Sequence, residues 1–184
     1  LAALERSVIL AGDAPFDGVR YRRSYLSRYI QADTELQDAY TAIKNELLSY
    51  KKVVARTSWK QESFKRGRQF LSIINVKGKT LYVYLALDPA AYEGKHFVSA
   101  AEKMPETPVL VKVKNERSAN VALHMITEMM EQQGIARIER EAEDFHMPYE
   151  SDEALIEKGL IKVKIDQSER LRALIGRGVT NESE

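Results

Sequence analysis

Residues 53–87 read VVARTSWKQESFKRGRQFLSIINVKGKTLYVYLAL, and this stretch decides the fold. Apolar and polar side chains alternate along much of it with a period of two, the pattern of a β-strand that has one drier face. The run 70–76 is apolar on both faces at its centre, as in a strand that is covered on both sides. Gly78 allows a short turn before the next alternating run at 81–87. Short returns favour antiparallel pairing, because parallel strands need a long crossover.

The segments around this meander supply further strands and helices. Residues 61–66 carry one aromatic side chain among polar ones and predict a short, exposed strand, and the valines of 109–113 predict a fifth strand. Apolar side chains at spacings of three and four predict amphipathic helices over 34–50 and 115–134. The sequence therefore predicts an α+β domain in which an antiparallel meander of about five strands packs against N-terminal and C-terminal helices.

Composition changes divide the 184-residue chain into three parts. Residues 1–19 predict an extended entry segment, and residues 20–134 form the predicted core domain. Residues 135–184 predict an acidic linker, a short helix capped by Ser151, one more strand near 160–165 and a tail. We expect this last part to be an appendage that either docks on the core or contacts a partner.

Composition also excludes several classes of protein. The sequence contains 0 cysteines, which excludes disulfides, thiolate catalysis and cysteine-ligated metals, and which fits a cytoplasmic location. No apolar run approaches the length of about 18 residues that a membrane helix needs, so we expect no membrane partner.

The motifs that indicate catalysis or a cofactor are missing from the sequence. There is no P-loop, no dinucleotide-binding fingerprint and no nucleophile elbow. His124 and Glu128 have the spacing of two metal ligands on one helix face, and His146 lies between Asp144 and Glu150. We interpret the former as a surface pair and the latter as a loop cluster. The sequence therefore predicts no catalytic residue, no cofactor and no metal, and favours a protein that is not an enzyme.

Charge is distributed unevenly although the net charge is only +1. Residues 20–80 contain 14 Lys and Arg against 5 Asp and Glu, whereas residues 81–184 contain 13 against 19. Eight of the acidic residues lie within 139–157. This asymmetry indicates either an anionic partner or two halves of the chain that contact each other.

Three functions are compatible with these patterns. The favoured hypothesis is an interaction module whose basic face binds an anionic partner such as nucleic acid. In the alternative, an assembly domain capable of self-association covers its basic face with its own acidic C-terminal segment. In the third, a pocket near Trp59, Tyr82 and Tyr84 binds a small ligand or substrate, and in the first these rings are the candidate stacking residues. The predicted basic face comprises Arg20, Arg22, Arg23, Lys51, Lys52, Arg56, Lys60, Lys65, Arg66 and Arg68.

The segment 20–31, RYRRSYLSRYIQ, has two interpretations of its own. It is either a nucleic-acid-binding arm that uses arginine on phosphate and tyrosine on bases, or a strand or helical turn that buries Tyr25, Leu26, Tyr29 and Ile30. The second interpretation leaves the arginines in water and is the one we favour.

Several strings of this sequence resemble an uncharacterised protein family of clostridia and related gut bacteria. They are KNELLSYKKVVARTSWKQESFKRGR at 44–68 and KGKTLYVYLALDP at 77–89, and SDEALIEKGLIKV at 151–163 is similar to segments of the same proteins. The resemblance covers about residues 20–165. More distantly, the order of helix, meander, strand and helix is similar to small α+β domains of the YdhG/YjbR type. The resemblance implies an antiparallel sheet covered by helices, and it implies no particular reaction, substrate or catalytic residue.

Overall fold

A computed structural model describes residues 19–165 of the chain. These residues form two units. The larger unit is Ser24–Tyr149, and the smaller one combines residues 19–23 with residues 150–165. Residues 135–149 therefore belong with the larger unit, whereas the sequence analysis placed the boundary at residue 134. Most of the predicted entry segment and the predicted tail lie outside the described residues.

The predicted α+β fold class is confirmed. None of the helices in the described residues is long and apolar enough to cross a membrane. Along residues 19–165 the elements are β1 (Val19–Arg23), α1 (Tyr25–Ile30), α2 (Thr34–Leu48), β2 (Val53–Thr57), β3 (Glu62–Arg66), β4 (Gln69–Lys77), β5 (Thr80–Leu85), a 3-10 helix (Pro89–Tyr92), β6 (Val98–Ala100), β7 (Val109–Val113), α3 (Glu116–Gln132), α4 (Asp152–Glu157) and β8 (Ile161–Ile165).

The larger unit is built on a six-stranded antiparallel sheet with the spatial order β2-β3-β4-β5-β7-β6. The first four strands keep their chain order and form the predicted meander. β7 then pairs with β5, and β6 pairs with β7. The strand β6 was not predicted, because the alternation in its three residues is too short to distinguish a strand from a loop.

The strand β3 differs from the prediction of a short, exposed strand. It lies between β2 and β4, and Glu62 and Phe64 are buried with 1% and 0% of their surface exposed. The polar residues that made the segment look exposed are Ser63 and Lys65, which alternate with the buried pair and point to the opposite face.

The helices α1, α2 and α3 share one hydrophobic core with the inward-facing side chains of the sheet. In α2, the predicted stripe of Leu36, Tyr40, Ile43 and Leu47 is buried. The helix starts after Asp33, whose side chain accepts a hydrogen bond of 2.9 Å from the amide of residue 36. This cap satisfies an amide that the first helical turn leaves without a partner.

Residues 135–149 return along α2 and are called the strap here. A strap amide donates to the carbonyl oxygen of Ser49 over 2.8 Å, and the Asn45 side chain donates to a strap carbonyl over 2.8 Å. Further toward the start of α2, the Gln37 side chain accepts from another strap amide over 3.0 Å. The strap therefore runs antiparallel to α2 and is held largely by polar contacts with it.

In the smaller unit, β1 and β8 form a two-stranded antiparallel sheet. The helix α4 begins at Ser151, the predicted cap, whose side chain accepts from the amide of residue 154 over 3.2 Å. Arg23 donates two hydrogen bonds of 2.8 and 2.9 Å to the carboxylate of Asp152, and Lys158 pairs with Glu150. The segment 20–31 is thus part strand and part helix.

Candidate nucleic-acid interface

The sheet of the larger unit has a second face, opposite the helices, with a short apolar row at its centre. Strand register places Ile73, Tyr84 and Leu110 side by side on β4, β5 and β7. Ala101 and Met104, from the connection after β6, pack on this row, and its three members are less than 10% exposed. We call this side of the sheet the open face. Around the central row its outward side chains are Val54, Arg56, Ser63, Lys65, Phe70, Asn75, Lys77, Thr80, Tyr82 and Lys112.

On one side of the central row, a lysine lies on an aromatic ring. The register between β3 and β4 shifts after Phe64, and this β-bulge places Phe70 directly opposite Lys65. The Lys65 Nζ atom lies 3.9 Å from the centroid of the Phe70 ring. A cation over a ring face is attracted to it without losing its charge.

On the other side of the central row, two lysines share one ring. Asn75, Tyr82 and Lys112 are cross-strand neighbours on β4, β5 and β7. The Nζ atoms of Lys77 and Lys112 lie 4.8 and 5.6 Å from the centroid of the Tyr82 ring. The open face therefore repeats one arrangement, a half-buried ring accompanied by lysine, on both sides of its apolar centre.

The predicted basic residues of the larger unit fall into three places rather than one compact region. Arg56 and Lys65 lie on the open face. Lys60 lies in the turn between β2 and β3, and the remainder lie at the opposite end of these strands, about 16 Å away for a five-residue strand that rises about 3.3 Å per residue. That remainder is Lys51, Lys52, Arg66 and Arg68.

These seven cations share one property, which is that none of them forms an ion pair with a carboxylate in the described part of the chain. Glu62 is the single acid in the sequence 51–68, but it is buried and its Oε2 atom accepts a hydrogen bond of 2.8 Å from Lys44. The local positive charge that the sequence shows at this place therefore stays uncompensated in the fold.

In the smaller unit, two of the three predicted arginines join two lysines that the sequence analysis missed. The register of β1 and β8 places Arg20 opposite Lys164 and Arg22 opposite Lys162, and all four side chains are exposed. Like charges directly opposite one another on a sheet are unfavourable. Arg23 lies on the other face of β1, and its guanidinium binds the carboxylate of Asp152. The lysines escaped notice because pairing across about 140 positions leaves no local signal.

The structure separates the three predicted stacking residues. Tyr82 is half-buried on the open face with its ring beside the lysines. Tyr84 is only 9% exposed, so its ring is not accessible for stacking. Burial, followed by the neighbouring Tyr82, raises its pKa. Trp59 lies in the turn after β2, where its carbonyl oxygen accepts a hydrogen bond of 2.8 Å from the amide of Tyr25. Of the three, Tyr82 has the ring that lies on the accessible part of the open face.

The acidic residues of the strap lie along α2, on the helical side of the sheet. Arg140 donates to the Glu143 carboxylate over 2.6 Å and to the Asn45 side chain over 3.0 Å. Arg137 binds Glu46, with a shortest distance of 2.5 Å. Among the described ion pairs, none joins a strap carboxylate to a cation of the predicted basic face.

The two histidine groups of the sequence analysis form local pairs. His124 Nε2 lies 3.1 Å from the Glu128 carboxylate, which also accepts a hydrogen bond of 2.6 Å from the Tyr92 hydroxyl. Burial, together with that bond, raises the pKa of Tyr92 to about 12. His146 binds Asp144 and Asp38 over 2.5 and 2.6 Å. Across residues 19–165, no group of three or more His, Cys, Asp or Glu side chains is arranged to hold a metal ion.

No protein-family model matches the chain, and no curated protein or solved structure matches it either.

Proposed function

We propose that this protein binds single-stranded nucleic acid on the open face of its six-stranded sheet. One observation carries the proposal: lysines that have no carboxylate partner within residues 19–165 lie over half-buried aromatic rings, Lys65 over Phe70 and two further lysines over Tyr82. A positively charged surface with aromatic rings on it is the chemistry that proteins use to hold nucleic-acid strands without sequence preference.

The lysines would contact the phosphates of the strand, and the aromatic rings would stack on its bases. A lysine over an exposed ring gains only about 0.5–1 kcal/mol from that contact, so it can leave the ring at little cost when a phosphate offers a stronger charge. The ring face that it leaves is then open to a base, and stacking of a base on an aromatic ring is worth about 1–3 kcal/mol.

The half-buried rings of the open face favour a single strand over a duplex. In a duplex the bases are stacked on one another and present only their edges, whereas an unpaired strand can place its bases flat on a ring. The cations at the two ends of β2 and β3 would extend the electrostatic attraction beyond the rings. In the smaller unit, phosphate would relieve the repulsion between Arg20 and Lys164, which lie opposite one another.

Fluorescence anisotropy tests this proposal directly. A labelled 12-nucleotide oligo(dT) or oligo(U) is titrated with the full chain between 25 and 300 mM KCl, with a duplex of the same length as the comparison. We expect tighter binding of the single strand, and a log–log salt dependence with a slope of about −0.7 per phosphate contacted. The variant Lys65→Gln should weaken binding, and the matched control Arg117→Gln should not, because Arg117 is an exposed cation of α3 on the helical side.

Three results would contradict the proposal. They are absence of binding at 25 mM KCl, an affinity that does not depend on salt, and equal affinities for Lys65→Gln and Arg117→Gln.

A further inference from the structure

A cavity of about 260 Å³ lies on the helical side of the sheet, where α1, α2, β2, β3 and the strap meet. Four aromatic side chains contribute to its walls: Tyr25, Tyr29, Tyr40 and Phe145. The rings of Tyr29 and Tyr40 are 4.3 Å apart, and those of Tyr40 and Phe145 are 6.3 Å apart in an edge-on arrangement. Flat apolar surfaces thus line much of the cavity.

A buried ion pair forms the polar part of the wall. The Glu62 carboxylate accepts hydrogen bonds from Tyr40 over 2.5 Å, from Lys44 over 2.8 Å and from Thr57 over 3.1 Å. Its side chain is 1% exposed and that of Lys44 is 15% exposed. Because the two charges cancel, the wall offers hydrogen-bonding groups without a net charge.

One polar group of the cavity wall makes no hydrogen bond of ordinary geometry within residues 19–165. The Tyr25 hydroxyl is buried and makes no hydrogen bond of ordinary geometry in the described part of the chain. The neighbouring Tyr40 hydroxyl, which interacts with it and lowers its pKa, already donates its own proton to Glu62. Burial, followed by the nearby Glu62 carboxylate, raises its pKa well above the ordinary value, so the hydroxyl keeps its proton and remains a donor. Buried polar groups in folded proteins nearly always have a partner, and an unmet one lowers stability.

The roof of the cavity is the part of the strap around Phe145. The Tyr29 hydroxyl donates to the Phe145 carbonyl oxygen over 2.6 Å, and Lys44 Nζ lies 4.5 Å from the centroid of the Phe145 ring. Next to it, His146 binds Asp38 over 2.6 Å at the surface. A roof held by these few contacts can lift while the core of the sheet stays packed, which gives a small molecule a way in.

We propose that this cavity binds a small, neutral, planar molecule of one or two rings that accepts a hydrogen bond from the Tyr25 hydroxyl. The size follows from volume, because an apolar cavity of about 150 Å³ already holds benzene. Aromatic walls favour a planar ligand, and the cancelled charges of Lys44 and Glu62 favour a neutral one. The site lies on the opposite side of the sheet from the open face and is independent of nucleic-acid binding.

Saturation-transfer NMR with millimolar nicotinamide, uracil and 2-pyridone tests the proposal, with toluene as a ring of similar size that lacks an acceptor. We expect at least one of the three acceptor probes to bind the native protein and toluene to bind more weakly. The variant Tyr25→Phe should weaken that probe at least tenfold, and the control Tyr84→Phe, on the other face, should leave its affinity unchanged. Tyr25→Phe should also bind oligonucleotides as the native chain does.

The stability of the unliganded variant provides a second readout. Removal of an unmet hydroxyl should leave the melting temperature of Tyr25→Phe unchanged or higher than that of the native protein. A clearly lower melting temperature would mean that the hydroxyl is satisfied within the protein. That result, or absence of binding of all three acceptor probes, or equal binding to Tyr25→Phe, would overturn the proposal.

Discussion

The two faces of the six-stranded sheet treat charge in opposite ways. On the helical face, the one buried carboxylate of β3 is matched by Lys44 and two hydroxyls. On the open face, Lys65 of the same strand has an aromatic ring for a neighbour and no carboxylate partner in the part of the chain that the structure describes. The pleat of one strand thus sends Glu62 inward and Lys65 outward. The net charge of a segment of sequence does not tell which of its charges a partner can reach.

Of the two faces, the helical face should show the largest loss of stability on mutation. Glu62→Leu leaves Lys44 uncompensated in the core, and we expect it to lower the free energy of unfolding by about 3–5 kcal/mol in urea denaturation. The double variant Glu62→Leu/Lys44→Met removes both charges and should recover much of that loss. A single variant within about 1 kcal/mol of the native protein would show that the pair is not desolvated as the structure has it.

The ring of Tyr82 should have the next largest effect, in this case on binding rather than on stability. A stacked base contributes about 1–3 kcal/mol, so Tyr82→Ala should weaken the oligonucleotide complex by about 5- to 150-fold. Tyr84→Phe is the control, because the Tyr84 ring is covered by the residues that pack on the central row. Equal affinities for Tyr82→Ala and the native chain, measured by anisotropy, would rule out stacking on this ring.

Single charges on the open face should produce a smaller and more specific change. Lys65→Gln should reduce the slope of log affinity against log salt by about 0.7, the value for one phosphate contact on a single strand. The same variant should change the free energy of unfolding by less than about 0.5 kcal/mol, as is usual for surface positions. A large loss of stability with an unchanged salt slope would reverse the roles that we assign to the two faces.

The smallest expected effect concerns how firmly the strap is held on α2, and this effect depends on pH. Hydrogen bonds to Asp144 and then to Asp38 raise the pKa of His146 above its ordinary value of 6.5. The stabilisation from this histidine is therefore complete below pH 6.5 and is lost as the pH rises through the raised pKa. Hydrogen exchange of the Met147 amide, corrected for its intrinsic pH dependence, should speed up over that range, and His146→Gln should remove this change.

Asp144 sets the low-pH end of the range over which its contact with His146 stabilises the strap. The backbone amide and then the ring of His146 lower its pKa below 3.8, so its contribution is present above pH 3.8 and is lost as the pH falls through the lowered value. If exchange at Met147 does not vary between pH 5 and 8.5, the histidine does not fasten the strap.

Local patterns predicted the elements of the fold well. The alternation in 53–87 gave the meander, the stripe of α2 gave its buried side, and Ser151 was recognisable as a cap. At the start of α2 the sequence left Thr34 and Asp33 as competing caps, and Asp33 is the cap in the structure. Short-range periodicity indicates which side of a helix or strand is buried, and predicting single helices and strands requires only that information. It records much less about which elements lie next to each other.

The candidate sites depend on pairings that the sequence does not show. The lysines opposite Arg20 and Arg22 come from the far end of the described chain, and Lys112 reaches Tyr82 only because β7 pairs with β5. Glu62 looked like a surface acid among lysines, because its partner Lys44 lies two elements earlier, on α2. Positions that look alike in sequence, such as Tyr82 and Tyr84, differ because a connection covers one of them.

The path of the strap has a consequence for the order in which the protein assembles. Its contacts with α2 join residues separated by about 90 to 110 positions, for example Ile138 with Ser49 and Met147 with Gln37. Closing so long a loop is entropically costly, whereas the hairpins of the meander close short ones. We expect the hairpins to form early and the strap to dock last, so that the cavity beneath Phe145 comes into existence only at the final step of folding. Pulse-labelling hydrogen exchange that found strap amides protected before those of β4 and β5 would contradict this order.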